Sequence, residues 1–355
     1  MAFVERLQCF LADVDTTILR IENMKIADIV IEDSYIAQRF EAYHKEPITV
    51  RLANIADDMM HVLKRKRNGE LKLPSKNEVV KRLKKRLAYP SAFAIYRAFI
   101  ETLPKGSFYF KNKHFEFNDV YPYLYVQTYF SGMTTFELVQ HFVLDEMQDY
   151  TPIQYAVLAQ LFTCKRTIIG DVGQALFPYE TMSLQALSTI FPRATIHRLT
   201  TTYRSSYEIA TYAQQFLEEG MLQPIARHSK EVDERFYTTH AEMLQQVHNA
   251  ISSTAKTTAI ICKTSEDAMY ISEHLQKPHH VMDGTTTIFE TGIIVTTIQY
   301  AKGLEFDAVI VPFVDNTRYA TKFERGLLYI AVTRAMHELT VLIDAAAPTP
   351  LVATV

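Results

Sequence analysis

The 355-residue sequence is poor in features that mark secreted, disulfide-bonded and membrane proteins. Its three cysteines, Cys9, Cys164 and Cys262, are odd in number and share no metal-ligand or redox spacing. No apolar run approaches the roughly 20 residues that span a bilayer, and the N-terminus carries acids early and lacks a signal-peptide layout. We therefore expect an intracellular, cytoplasmic protein with no membrane partner.

The composition that remains is that of an ordinary globular protein, 48% apolar and 22% charged, and the length allows two or three domains. A net charge of -3 gives no general sign of nucleic-acid binding. Charge is nevertheless concentrated in a basic stretch, Lys64–Arg67 followed by Lys81-Arg82 and Lys84–Arg86. Such a stretch is equally consistent with a solvated helix face and with a contact to nucleic acid or another partner.

The most informative segment is FVLDEMQDY, residues 142–150. Its three apolar residues predict a buried strand that ends at the adjacent carboxylates of Asp145 and Glu146. In parallel α/β proteins, ligands bind just beyond the carboxyl ends of the strands. One carboxylate at such a position can hold Mg²⁺, and the other can polarise an attacking water.

Strand and helix patterns alternate after this segment, which predicts an α/β fold with a mainly parallel sheet covered on both faces. The predicted strands are Thr167–Ile169, Thr258–Cys262, Gly292–Thr297, Ala308–Val314 and Glu338–Ile343. Helices are predicted after Thr151-Pro152, from Ser205 to Gly220 and around Gly326–Ala335. Residues 1–100 are predicted to be mostly helical. Most aromatic residues of the interval 101–140 are expected to fill a core, with base stacking as the alternative.

Four later segments carry polar residues that suit a phosphate site. They are Gly170-Asp171-Val-Gly-Gln174, Tyr203-Arg204-Ser205, Lys302-Gly303-Leu-Glu305 and Thr333-Arg334, the last of them late on a predicted helix. An amide can orient a water, and a guanidinium can bind phosphate oxygens in fork geometry. Taken singly, each residue has an ordinary explanation as a surface arginine, a turn or a loop amide. Their joint order and spacing favour a single site.

Together these segments resemble superfamily 1 helicases of the UvrD/Rep/PcrA type over about residues 140–343. The matching segments are LDEMQDY, GDVGQ, TTYRSS, TTIQYAKGLEFD and LLYIAVTRA. Gln299 stands where UvrD-like enzymes carry histidine, which is similar to the HelD branch, whose members bind RNA polymerase and recycle stalled complexes. FEFNDVYPYLYVQTYF, residues 115–130, also looks HelD-like. The resemblance implies a RecA-like P-loop NTPase helicase fold.

The resemblance also implies a role for each matching residue. It implies that Asp145 holds Mg²⁺ and that Glu146 is the general base. Gln174 would sense the γ-phosphate, Arg204 would contact it, and Arg334 would be the arginine finger. The nucleotide would also be bound by Lys302, Gly303 and Glu305, with Glu305 at the ribose. These roles fit phosphoryl transfer, which depends on positioning and charge stabilisation. Mg²⁺ and ATP are the cofactors implied for the full-length parent, and whether this chain alone binds them stays open.

The phosphate-binding motif Gly-x-x-x-x-Gly-Lys-Ser/Thr occurs nowhere in the sequence. In the family, this Walker A loop lies N-terminal to every segment named above, so we expect the C-terminal part of a longer protein, as a fragment, a split gene or a truncated paralogue. The expected domains are a mostly helical inserted subdomain (1–100, 1B-like), an incomplete first RecA-like domain (101–192), a second RecA-like domain (193–345) and a tail (346–355). The strand 142–144 is expected to have an unpaired apolar edge.

Two functions follow as alternatives. The first is an ATP-dependent DNA helicase or translocase, or a HelD-type RNA polymerase remodelling ATPase, with weak or absent hydrolysis by this chain alone. The second is a non-catalytic module with a helicase-like fold. The expected partners are single-stranded or duplex DNA, RNA polymerase and the missing Walker A segment.

Overall fold

The computed structural model describes residues 2–66, 72–104, 115–176, 184–217, 222–286 and 291–352. The chain divides into two compact units. The first comprises Met1–Asp145, Tyr150–Ile168 and Leu184–Pro192, and the second comprises Glu146–Asp149, Ile169–Ser183 and Arg193–Val355. The domain intervals expected from the family resemblance remain predictions. None of the described helices is both long enough and apolar enough to cross a membrane.

The first unit is mainly helical, as predicted for residues 1–100. Its helices are α1 (Ala2–Thr17), α2 (Asp33–Ala42), α3 (Ile48–Lys66), α4 (Lys76–Lys84), α5 (Ala92–Glu101), α6 (Phe117–Ser131), α7 (Pro152–Leu161) and α8 (Leu184–Ile190). Their apolar residues recur at helical spacing and form one core that includes Leu7, Leu52 and Phe99, all fully buried. An antiparallel hairpin of β1 (Met24–Ile26) and β2 (Ile29–Ile31) interrupts the helices and was not predicted.

The predicted start of α7 is confirmed. Thr151 is its N-cap, and Pro152 occupies the first turn, where the missing N–H costs no hydrogen bond. Gln154 completes the cap, because its Oε1 accepts the backbone N–H of Thr151 at 2.6 Å.

The aromatic residues of α6 mostly pack against the core of the first unit, as expected for this segment. Tyr121, Tyr123, Tyr125 and Tyr129 are partly buried there and Phe130 is buried, whereas Phe117 is exposed. Phe108, Tyr109 and Phe110 lie outside the described residues.

Two strands of the first unit form a short parallel sheet. They are β3 (His141–Leu144) and β4 (Lys165–Ile168), and β4 begins two residues before the predicted strand. Among the described residues, β3 pairs with β4 alone. Leu144 is buried, but Val143 is 60% exposed. The prediction of a buried strand over residues 142–144 is therefore wrong except at Leu144, and the unpaired edge expected for this strand stays a prediction.

The described part of the second unit is built on a six-stranded sheet with the strand order β7-β12-β11-β8-β10-β9. These strands are β7 (Asp233–Tyr237), β8 (Thr257–Cys262), β9 (His280–Met282), β10 (Gly292–Thr297), β11 (Phe306–Val314) and β12 (Ala335–Asp344), and all their pairings are parallel. A separate short parallel pair consists of β5 (Thr201–Thr202) and β6 (Gln223–Pro224). The helices are α9 (Tyr207–Ala213), α10 (His240–Ala250), α11 (Ser265–His274), α12 (Ile298–Ala301) and α13 (Lys322–Val332).

The central strands are buried on both faces, which explains their continuous apolar runs. Every residue of β8 is buried, and β11 is buried except at Asp307. One core cluster includes Ile209, Val309 and Leu328, and a second includes Met243, Ile271 and Ile310, so side chains of β11 alternate between two cores. The predicted α/β fold with a parallel sheet covered on both faces is confirmed.

Two local predictions need correction. The N-cap of α9 is Ser206, whose Oγ accepts the N–H of Ile209, while the Ser205 hydroxyl donates to the carbonyl of Ala335 at 2.7 Å. Helix α9 ends at Ala213 and continues as a 3-10 turn over Gln214–Phe216, and the predicted end at Gly220 lies outside the described residues. Helix α13 ends at Val332, so Arg334 lies between α13 and β12 and not on the helix.

Candidate functional site

Most of the predicted site residues belong to the second unit, where Glu146 directly precedes one 3-10 turn and Gln174 lies in another. The turns are Met147–Asp149 and Val172–Gln174. Just before the first turn, Glu146 has φ +53, in the left-handed region that non-glycine residues rarely occupy. The backbone N–H of Met147 donates to the carbonyl of Ile169 at 2.9 Å, which ties the two turns together. Backbone strain of this kind persists where the surroundings hold it, often at functional sites.

Gln148 is the residue that holds this arrangement. Its side chain is buried, its Nε2 donates to Glu146 Oε2 at 2.5 Å, and its Oε1 accepts the N–H of Asp171 at 3.0 Å. A Cβ added to Gly170 would lie 2.5 Å from this Oε1 and from the backbone nitrogen of Met147. The glycine therefore permits the close approach that brings the Gln148 amide between the two turns.

Asp171 orients the amide of Gln174. Its carboxylate accepts hydrogen bonds from Gln174 Nε2 at 2.9 Å, from the N–H of Gly173 at 2.9 Å and from the Tyr329 hydroxyl at 3.2 Å. Because Nε2 is held in this way, the Gln174 Oε1 is free to accept from Arg334 NH2 at 2.9 Å. Burial, followed by the charge of Asp171, raises the pKa of the Tyr329 hydroxyl, which therefore stays a donor.

Arg334 is almost completely buried, with 1% of its surface exposed. Its remaining guanidinium groups donate to the carbonyls of Ile330 at 3.1 Å and Leu304 at 3.3 Å. Burial lowers the pKa of the guanidinium, and the positive charge of Arg204 lowers it further, but a guanidinium remains charged in proteins. The site thus contains a fixed, desolvated positive charge.

Lys302 lies against the first turn. Its Nζ is 2.5 Å from Asp149 Oδ1 and 3.9 Å from Glu146 Oε2, and its side chain is only 7% exposed. Gly303 follows with φ +81, a conformation that glycine adopts without a steric penalty. The Lys-Gly turn predicted from sequence is therefore present and directs its cation at two carboxylates.

Arg204 and Glu305 form an ion pair, with 2.6 Å between Arg204 Nε and Glu305 Oε1. Both side chains are about two-fifths exposed, at 42% and 41%. The Arg204 carbonyl accepts a hydrogen bond from Arg227, which holds its backbone. The neighbouring Tyr203 is 67% exposed, so an aromatic ring stands in solvent beside the arginine.

Seven of the eight predicted site residues lie in the second unit, namely Glu146, Gln174, Arg204, Lys302, Gly303, Glu305 and Arg334. Direct contacts join three pairs of them: Gln174 with Arg334, Arg204 with Glu305, and Lys302 with Glu146. Asp145 belongs to the first unit and is exposed at the end of β3. Its predicted role as a Mg²⁺ ligand stays a prediction. Among the described residues no group of three acidic, histidine or cysteine side chains could hold a metal ion by itself. A single carboxylate nevertheless fits Mg²⁺ that arrives on a nucleotide, because such ions take one or two carboxylates plus phosphate oxygens.

Sequence reasoning missed the connecting residues Gln148, Asp149, Asp171 and Tyr329 as site residues. Gln148, Asp149 and Asp171 fall inside the quoted segments LDEMQDY and GDVGQ, and their signal is a polar side chain in a tight turn beside a buried strand. Tyr329 lies in a helix whose other residues are mostly apolar, so nothing in the pattern separates it from core aromatics.

Comparison with known proteins finds a family match in the part of the chain that contains several of these residues. A family model of the UvrD-like helicase C-terminal domain matches residues 292–342, which include Lys302, Gly303, Glu305 and Arg334. The chain is therefore similar to that domain from β10 to β12, and its mixed α/β architecture is consistent with a RecA-like helicase fold. No curated protein matches the chain.

Two solved structures are similar in part. One is the C-terminal domain of a possible DNA helicase from Lactobacillus plantarum WCFS1, with 28% identity over 43% of this chain and 92% of that chain and a TM-score of 0.37. The other is the PRRSV helicase, with 16% identity over 56% of this chain and 34% of that chain and a TM-score of 0.33.

Proposed function

We propose that this chain is the nucleotide-responsive part of a UvrD-like, ATP-dependent helicase or translocase that acts on DNA, with a HelD-type role on RNA polymerase as its more specific form. The observation that carries the proposal is one hydrogen-bonded series: Glu146 to Gln148, Gln148 to Asp171, Asp171 to Gln174, and Gln174 to Arg334. It joins a candidate general base to a buried cation through the side-chain amides of Gln148 and Gln174 and the carboxylate of Asp171. Such preorganised groups suit a reaction in which charge develops on phosphate oxygens.

Each residue then has a definite task. Glu146 accepts a proton from the attacking water, and Gln174 with Arg334 stabilises the charge that develops on the terminal phosphate. Arg204 exchanges Glu305 for a phosphate oxygen, which leaves the Glu305 carboxylate to accept from a ribose hydroxyl. The exposed ring of Tyr203 stacks on a base. Asp145 would hold Mg²⁺ that arrives with the nucleotide, and the ion would neutralise charge between the phosphates when bound.

Hydrolysis by this chain alone should be weak. The sequence has no Gly-x-x-x-x-Gly-Lys-Ser/Thr loop, and the described lysine nearest the acids, Lys302, is already bound to Asp149. We propose that a phosphate-binding loop from another segment or another chain completes the centre.

The test is binding of a fluorescent ATP analogue to the full chain with Mg²⁺. We expect weak binding that Arg204→Gln and Tyr203→Ala each weaken at least about fivefold, a loss of roughly 1 kcal/mol. Glu273→Gln, at an exposed position of α11, should bind like wild type. Binding that none of the site variants alters would contradict the proposal. Robust ATPase activity that vanishes in Glu146→Gln would instead show that no additional loop is required.

A second function is favoured by one observation. The three predicted site cations already have partners within the chain, since Arg204 pairs with Glu305, Lys302 with Asp149 and Arg334 with Gln174. Such pairing is what a non-catalytic module that binds RNA polymerase or nucleic acid needs to keep its fold. If this alternative is right, Glu146→Gln will retain RNA polymerase in a pull-down at moderate salt as well as wild type, and the chain will not bind the ATP analogue.

A further inference from the structure

Positive charge in this protein is concentrated at the ends of two helices of the first unit. Between Lys64 and Arg86 the sequence has eleven lysines and arginines and two glutamates, in a chain that otherwise has more acidic than basic residues. Lys64, Arg65 and Lys66 form the last turn of α3, and Lys81, Lys84 and Lys85 lie at the end of α4. All six side chains are exposed. Arg67 lies outside the described residues.

The basic residues of this interval fall into two groups by what they contact. Arg82 donates to the carbonyl of Lys25 at 3.3 Å, Arg86 donates to the carbonyls of Glu22 and Asn23, and Lys76 pairs with Asp57 at 2.6 Å. These three hold α4 against β1 and α3. The six exposed cations, in contrast, have no acidic partner among the described residues. The other acid of α3 near this region, Asp58, is bound to Arg39.

A purely structural explanation accounts for part of this arrangement. Cations at helix C-termini are stabilised by the helix dipole, by roughly 0.3–1 kcal/mol each at low salt. That effect falls off within the last turn, whereas each helix here ends in three exposed cations with no acidic partner in the part of the chain that the structure describes. Lys81, Lys84 and Lys85 also stand three and four residues apart, where like charges on one helix face repel. Val79 and Leu83 are buried on the other side of α4.

We propose that the exposed ends of α3 and α4 bind the phosphate backbone of double-stranded nucleic acid without reading its sequence. No Phe, Tyr or Trp occurs between residues 60 and 88, so the segment offers no ring for stacking unpaired bases. Binding must then depend on phosphate density, which is higher along a duplex than along one strand. The surface lies in the first unit and does not depend on the nucleotide site of the second.

The experiment measures anisotropy of a labelled 20-base-pair duplex of arbitrary sequence with the full chain and no ATP, from 50 to 200 mM KCl. Two variants each remove three charges, Lys64→Gln/Arg65→Gln/Lys66→Gln and Lys81→Gln/Lys84→Gln/Lys85→Gln. The control, Lys165→Gln/Lys230→Gln/Lys256→Gln, removes three exposed charges elsewhere. Circular dichroism and melting temperature verify that all variants fold.

We expect each α3 or α4 variant to weaken binding at 50 mM KCl at least about tenfold and the control to weaken it less than twofold. The slope of log affinity against log salt should fall by about 0.9 for every cation that contacts a phosphate. Equal losses in the control and the two variants would overturn the proposal. So would tighter binding of a matching single strand, or displacement of the duplex by polyglutamate at equal charge concentration, which would identify an acidic protein surface as the ligand. Because the experiment contains no ATP, a negative result would contradict the proposed duplex-binding surface and would not test the proposed nucleotide site.

Discussion

The guanidinium of Arg334 donates to the side-chain carbonyl of Gln174 over 2.9 Å, and two backbone carbonyls accept its other hydrogens. Arg334→Ala would leave these three acceptors without a partner in a buried position. Each such loss costs about 1–3 kcal/mol, so we expect the variant to lose at least about 2 kcal/mol of stability. Scanning calorimetry of wild type and variant measures this loss as a lower melting temperature.

Arg204→Ala is the matched comparison, because Arg204 is the other predicted phosphate-binding arginine. Its ion pair with Glu305 is about two-fifths exposed on both sides, and such pairs contribute roughly 0–1 kcal/mol. We therefore expect a small change in melting temperature for this variant. An equal fall in melting temperature in Arg334→Ala and Arg204→Ala would mean that the difference in burial between the two arginines does not determine their contributions to stability.

Gly170→Ala should destabilise the second unit. The added Cβ would meet the backbone nitrogen of Met147 and the Oε1 of Gln148 at 2.5 Å, and the backbone atom cannot rotate away. Overpacking of this kind costs about 1–3 kcal/mol. Urea unfolding should show a lower midpoint.

Gly326→Ala should stabilise the protein, in contrast to Gly170→Ala. Gly326 lies inside α13, and its added Cβ would touch only the carbonyl of Gly173 at 3.5 Å, an ordinary contact. Replacing glycine by alanine in a helix interior stabilises by roughly 0.5–1 kcal/mol. A raised urea midpoint for Gly326→Ala beside a lowered one for Gly170→Ala is the expected result. If both midpoints fall, the space around α13 is tighter than the structure shows.

Tyr329→Phe removes one of three hydrogen bonds to the Asp171 carboxylate. Gly173 and Gln174 still donate to it, so we expect a loss of only about 0.5–1.5 kcal/mol. Near-ultraviolet circular dichroism with thermal melting tests this expectation. A loss as large as that of Arg334→Ala would show that Tyr329 holds the Gln174 amide in place by itself.

The sequence predicts the sheet of the second unit well where strands are buried on both faces. The interval Gly292–Thr297 matches β10 residue for residue, because an apolar run bounded by polar residues has one interpretation. Strand β7 lies at the sheet edge and mixes Asp233, Glu234 and Arg235 with apolar residues, so its pattern carries no comparable signal. Adjacent serines also hide the cap of α9, since either residue could cap the helix and only the contact of Ser205 with β12 decides between them.

The candidate site was predictable in its charged residues but not in their pairing. Arg204 and Glu305 are far apart in sequence, and their contact depends on how β5, α9 and the turn before β11 pack. Gln148 carries no charge, and its importance follows only from the short distance between the turns at Glu146 and Asp171.

Stability should depend on pH through Glu324, at the start of α13. Burial alone would raise the pKa of this carboxyl group, but hydrogen bonds from Lys263 and from the N–H groups of Ala320 and Thr321 outweigh burial and lower the pKa to about 2. The unfolded chain, with an ordinary value of 4.5, takes up a proton first as pH falls. The stabilisation is therefore fully present above about pH 4.5 and is lost progressively as pH falls toward 2.

Glu324→Gln removes that dependence. We expect the variant to be less stable than wild type at pH 7, because Lys263 loses its carboxylate partner. Between pH 5 and pH 3 its melting temperature should fall less steeply than that of wild type. Glu273→Gln removes the same charge from an exposed position of α11 and should follow the wild-type curve. Parallel melting curves for wild type and Glu324→Gln over this range would mean that Glu324 does not supply the acid-sensitive part of the stability.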